Sequence, residues 1–191
     1  MPLLRAFLLS CFAVLFLFAC GAAAPPTGAS RLPVYRAEDA ALLDDSLSGH
    51  LFETAFVPGV PGDDPHFEDR VRAAQSIWVV KVATVSREGS VGSNRRYGVV
   101  FRPLETLVGP PPETLVSITV SAKDPSFHWL DRMSGGWVGT EVVLMVRNFQ
   151  AGDASVLHFH GEPNSPALRA RVAAIRAVTK ASDRAAQAPK K

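Results

Sequence analysis

Ser76-Ile77-Trp78-Val79-Val80-Lys81-Val82-Ala83-Thr84-Val85 is apolar on both faces and rich in β-branched residues. That composition marks a strand buried in the middle of a sheet. Just before it, Asp64 and Pro65 have the chemistry of a helix cap and a first helical residue, which predicts a short helix over 65–75. After it, a turn over 88–94 leads into a second strand over 96–108, bent or at an edge at Pro103. Gly109 and three prolines then precede a third strand over 115–120 with a period of two. A fourth strand over 141–149 is apolar on both faces, and a short fifth spans 155–160. The last helix, over 166–180, aligns Leu168, Val172, Ile175 and Val178 on one stripe and Arg169, Arg176 and Lys180 on another. This stripe either docks on the sheet or meets anionic lipid. The fold expected is mainly β: a small antiparallel five-stranded barrel or curled sheet with flanking helices including the C-terminal amphipathic one.

The strand order carries recognisable patterns: Tyr97-x-Val99-x-Phe101-x-Pro103-Leu104-Glu105-x-Leu107-x-Gly109, then Val116-x-Ile118-x-Val120, then Glu141-Val142-Val143-Leu144-Met145-Val146. Over residues 76–161 this resembles the exported OB-type barrels related to metalloproteinase inhibitors. The resemblance implies the fold and not inhibition. The disulfides and free amino-terminal cysteine of that family have no counterpart here.

The amino terminus sets an address. Arg5 is followed by an apolar run from Ala6 to Ala19, the length of a signal-peptide core and short of the ~20 residues that span a bilayer. Leu17-Phe18-Ala19-Cys20 resembles the lipobox of bacterial lipoproteins, which implies cleavage before Cys20 and acylation of its thiol. Leu8-Leu9-Ser10-Cys11 also matches, but too little apolar chain precedes it. Ala22-Ala23-Ala24 offers a competing cleavage site that would release a soluble periplasmic product, and an uncleaved anchor is the third outcome. Expected boundaries are a signal over 1–19, a lipidated Cys20 with a flexible Ala/Pro/Gly/Ser tether to 35, an acidic lead-in over 36–64, one β-rich domain over 65–180, and a disordered basic tail over 181–191.

Both cysteines, Cys11 and Cys20, lie in the leader, so the body holds no disulfide and rests on its core alone. The chain has 20 Lys+Arg against 18 Asp+Glu, which gives no basic bias toward nucleic acid. Charge is uneven: residues 36–70 carry only Arg36 and Arg70 as cations, and 165–191 only Asp183 as an acid. The two ends are expected to attract one another.

Two constellations could carry chemistry. His158-Phe159-His160 throws both rings to one face of a strand, within reach of one metal ion, with His128, His50, His66 or Glu162 as a third ligand. The alternative is a solvated edge face with Leu157 and Phe159 turned inward. Phe127, His128, Trp129, Asp131 and Arg132 form an aromatic, charged loop: either a binding surface or a plug for one end of the barrel. No serine elbow, Ser-x-x-Lys pair, phosphate cradle or calcium loop is recognisable, and no cofactor is expected. The expectation is a lipid-anchored binding or accessory module in the cell envelope, held to the membrane by Cys20 and meeting an envelope protein. A metal-dependent hydrolase using His158 and His160, or a structural envelope protein, are the alternatives.

Overall fold

In the computed structural model, which describes residues 32–52, 64–89, 95–112 and 114–187, the apolar stretch from Ser76 lies at the heart of strand β2 (Ser76–Glu88). The expected leader, Cys20 and the part of the expected tether up to residue 31 lie outside the described residues. The elements run α1 (Ala37–Leu42), β1 (Ser46–Leu47), a 3-10 turn (Gly49–Phe52), α2 (Phe67–Ala73), β2, β3 (Arg96–Val108) and β4 (Val116–Ser121). Then come α3 (Phe127–Met133), a second 3-10 turn (Ser134–Trp137), β5 (Glu141–Ala151), β6 (Ala154–Pro163) and α4 (Pro166–Gln187). The strands form one sheet in the order β1-β6-β5-β2-β3-β4, antiparallel except for the β1–β6 pair.

Double-sided burial explains the apolar composition of the central strands. Trp78, Val80 and Val82 of β2 join Tyr97, Val99, Phe101, Val142, Leu144 and Phe159 in one core on the concave face. Ile77 and Val79 face the other way, with Val143, Met145 and Phe149, under α2 and α4. Leu168, Val172 and Ile175 of α4 are buried there, so the amphipathic helix docks on the sheet. It continues to Gln187, past the expected boundary at residue 180, through alanines of high helix propensity with Arg184 in its last turn. No helix among the described residues is long and apolar enough to cross a membrane.

The β2–β3 ladder shifts register between Ile77/Trp78, Val79/Val80 and Val82/Thr84. Such bulges add twist and bend the strand. The sheet therefore curls into a half-barrel whose seam, between β4 and β6, stays open. Pro103 fits because β4 covers only Arg96–Phe101, leaving β3 without a strand on its other side there. β1 adds a sixth strand to the five expected, and the loop over 127–133 is helical. The lead-in contains the short helix α1, which stops at Leu42, and Asp44 and Asp45 then turn the chain onto β6.

The β3–β4 connection needs a glycine at its start. Gly109 has φ +74°, and a Cβ there would lie 2.4 Å from the backbone oxygen of Gln75. Gly152, φ +61°, has open space around it. Gly152→Ala is expected to lower stability by about 1–2 kcal/mol, the conformational cost alone. Gly109→Ala should lose at least twice as much in urea unfolding; equal losses would contradict the close approach.

Candidate functional site

The lead-in wraps β6 like a strap. The amide of Gln150 donates to the carbonyl of Pro33 at 2.8 Å, and Val34 makes a parallel bridge to Gln150. The Tyr35 ring stacks on the His158 ring, centroids 3.6 Å apart and planes 3° from parallel, with its edge toward Phe149. Its hydroxyl donates to the carbonyl of Leu43 at 2.6 Å. Burial, with the charges of Asp45, Asp44 and Asp39 behind it, pushes this phenol up to about 12.

Two successive acids then meet two alternate histidines. Asp45, at φ 52°, holds His158 Nδ1 through Oδ2 at 2.7 Å and accepts the Phe159 amide on Oδ1 at 3.1 Å. Aspartate tolerates that left-handed conformation better than most residues. Asp44 Oδ1 lies 2.8 Å from His160 Nδ1 and accepts the Ser46 hydroxyl at 2.7 Å. His160 Nε2 lies 3.0 Å from Glu162 Oε1. Behind Asp44 stands Arg70 of α2, which reaches Asp44 at 3.3 Å through Nη1 and Asp64 Oδ2 at 3.0 Å through Nε, and donates to the Leu42 carbonyl at 2.6 Å. Asp64, Arg70, Asp44, His160 and Glu162 thus form a chain of alternating charge under the strap. Alternation is how charges persist in a low-dielectric interior.

The titration behaviour follows. Burial alone would raise Asp44, but the hydrogen bond and charge of His160, the Ser46 hydroxyl and Arg70 together hold it down at about 2. Burial opposes the charged form of His160, yet hydrogen bonds to Asp44 and Glu162 outweigh it and raise its pKa. Asp45 is raised, because its burial outweighs the His158 contact.

His158 and His160 do share a face, opposite Phe159 in the concave core, as alternation requires. That face is not solvated: His160 is 4 % exposed, roofed by the strap. The two rings are held by different carboxylates. The nearest three-ligand constellation is Asp64, His160 and Glu162. Ser46 Oγ also lies 3.2 Å from His160 Nδ1, giving the connectivity Ser46–His160–Glu162 of a hydrolytic triad. Ser46 is 4 % exposed and gives its proton to Asp44, so it is a buried tie and not an accessible nucleophile.

The aromatic loop divides its residues. Phe127 enters the concave core with Leu130 and Trp137, and Trp129 packs against it partly buried, so this end of the half-barrel is plugged. His128, Asp131 and Arg132 are exposed. Asp131 accepts the Tyr97 hydroxyl at 2.9 Å and pairs with Arg95 at 3.2 Å. The acids of the lead-in meet Arg70, His158 and His160, whereas Arg169 of α4 pairs with Glu105.

A second feature lies at the open seam. A cleft of about 390 Å³ is lined by Ser117, Ile118 and Thr119 of β4 and by Ser155, Val156, Leu157 and Phe159 of β6, with Asp45 at one end. β1 covers β6 only at His160 and Gly161. Neither a family model, nor a curated protein, nor a solved structure matches this chain.

The clasp has a pH window. Asp44 falls from 3.8 to about 2 on folding, so it contributes stability above pH ~4 that vanishes as pH drops toward 2. His160, raised above 6.5, contributes below that value and loses it as pH climbs through its folded pKa. Asp45, raised, partly offsets the acid limb. With chelator present, the melting temperature should peak between about pH 4 and 6.5 and fall at alkaline pH. His160→Gln should abolish the fall that begins just above pH 6.5, leaving the separate loss above pH 10.0 that the raised Tyr35 phenol brings; an unchanged profile in that variant would contradict the assignment.

Proposed function

We propose that the chain is an exported, lipid-tethered binding module that receives an extended segment of a partner polypeptide along the edge of β4. The observation that carries this reading is the unprotected edge itself. Among the described residues β4 has one neighbour, β3, and the sequence Val116-Ser-Ile-Thr-Val-Ser121 contains no charge and no proline. Val116, Ile118 and Val120 are buried, and Ser117 and Thr119 are exposed. Sheet edges in soluble proteins are ordinarily protected by lysines, prolines or bulges, because unpaired N–H and C=O groups recruit another strand. An uncharged edge fronting a cleft is the arrangement used in β-strand addition, where backbone hydrogen bonds supply affinity. Among the described residues no strand pairs with the β6 edge from Ala154 to His158, so an inserted segment has two edges to pair with.

The tether fits such a role. A Cys20 anchor followed by Ala/Pro/Gly/Ser residues leaves the domain free to search near a membrane surface, with its partner in the envelope. The mature product is expected to begin at Cys20 and to carry a diacylglyceryl group on its thiol. Intact-mass spectrometry of membrane-extracted protein reads both; an intact leader or an unmodified thiol 20 would overturn the anchor.

For the edge, the measurement is amide hydrogen exchange with an eight- to ten-residue peptide selected from a display library. Protection should appear at Ser117–Thr119. Ser117→Lys combined with Thr119→Lys should weaken binding at least tenfold with an unchanged melting temperature. A second copy of the chain at the same edge would appear as concentration-dependent protection without peptide and would replace the partner reading. Protection confined to other surfaces would refute it.

A further inference from the structure

The alternating chain under the strap ends in two acids, and its ends meet. One oxygen each of Asp64 and Glu162 and one ring nitrogen of His160 all lie within 4.8 Å of one another. Glu162 and His160 are buried, and the Asp64 side chain is 23 % exposed. Two carboxylates this close in a protein interior repel unless a cation or proton stands between them. Even with His160 protonated the local charges do not balance: among the described residues, Asp44, Asp64 and Glu162 face Arg70 and His160.

We propose that a divalent cation of the zinc class binds in this triangle, held by His160 Nε2 and by one carboxylate oxygen each from Glu162 and Asp64. The cation replaces the Nε2 proton, which is released to solvent, so three carboxylates face Arg70 and two metal charges and the site is neutral. The His160 Nε2 to Glu162 Oε1 separation of 3.0 Å is close to the spacing of two ligands on one ion with bonds of ~2.0–2.1 Å. Asp44 on Nδ1 is then the outer carboxylate that fixes the tautomer and orients the ring, the arrangement metal-bound histidines usually show. Arg70 holds Asp44 and Asp64 from behind. A nitrogen ligand among carboxylates favours zinc-like ions over calcium or magnesium, which prefer all-oxygen sites. The ion fastens the chain leading into α2, at Asp64 three residues before Phe67, to β6. The site is separate from the β4 cleft, so either proposal can fail without the other.

The test uses the full chain in detergent, stripped of metal, with Cys11 and Cys20 alkylated so that no thiol competes. Zinc is titrated at pH 7.5 and followed by calorimetry and by ¹⁵N imidazole spectra. The expected result is one equivalent bound, a shift of His160 Nε2 to its metal-bound position, and proton release. Glu162→Gln should abolish stoichiometric binding, Asp44→Asn should weaken it by ~10–100-fold, and His128→Gln should leave it unchanged. Zinc that leaves the His160 signals untouched, or binds equally well to Glu162→Gln, overturns the proposal, and so does a shared proton alone between the acids. Should Glu162→Gln fail to fold, the His160 spectrum of the unmutated chain decides.

Discussion

The lead-in is held by two neighbouring acid–histidine pairs, Asp44 with His160 and Asp45 with His158. β6 presents His158, His160 and Glu162 toward the layer where α2 and α4 pack, while its alternate residues enter the concave core. A polar row of that kind must be either hydrated or matched. The strap matches it: Tyr35 covers His158, Leu43 is buried in the helix-side core, and the two acids meet the two rings. Remove the pairing and the two imidazoles lose the strap's carboxylates, leaving the strap to the Tyr35 stack, the burial of Leu43 and Leu47, a two-residue strand and a few hydrogen bonds.

The same strap explains the shape of the open seam. Its strand β1 caps β6 at His160 and Gly161, where Gly161 leaves room for Leu47: a Cβ there would come within 2.5 Å of that side chain. Ser126 ties the other end, its hydroxyl accepting the Leu47 amide at 2.6 Å. Capping stops at the Asp45–Phe159 contacts, and the rest of the β6 edge faces β4 across the cleft. The half-barrel is thus closed at one end by the α3 plug and fastened at one edge by the strap. Among the described residues its seam stays uncovered between β4 and β6.

Much of this was legible in the sequence. The strands were readable because β2 and β5 are apolar on both faces and glycine or proline bounds their turns. The shared face of His158 and His160 followed from alternation. What the sequence did not disclose was their burial, since the covering acids come from positions 113 and 116 residues earlier. Asp44 and Asp45 read as two more acids of an acidic lead-in, and nothing local distinguishes that from a clasp. A two-residue strand such as β1 is too short to carry a period. α3 lay hidden between Pro125 and Gly135, although Phe127 and Leu130, one turn apart and both buried, were its available signal.

The central claim is that Asp44 and His160 act as one unit in holding the lead-in to β6. A double-mutant cycle built from Asp44→Asn, His160→Gln and the double variant, unfolded in urea at pH 5.5 with chelator present, measures that directly. The account predicts a coupling energy of about 1–3 kcal/mol between the two positions. Losses that add within about 0.5 kcal/mol would mean the two residues act independently, and the clasp would not exist as described.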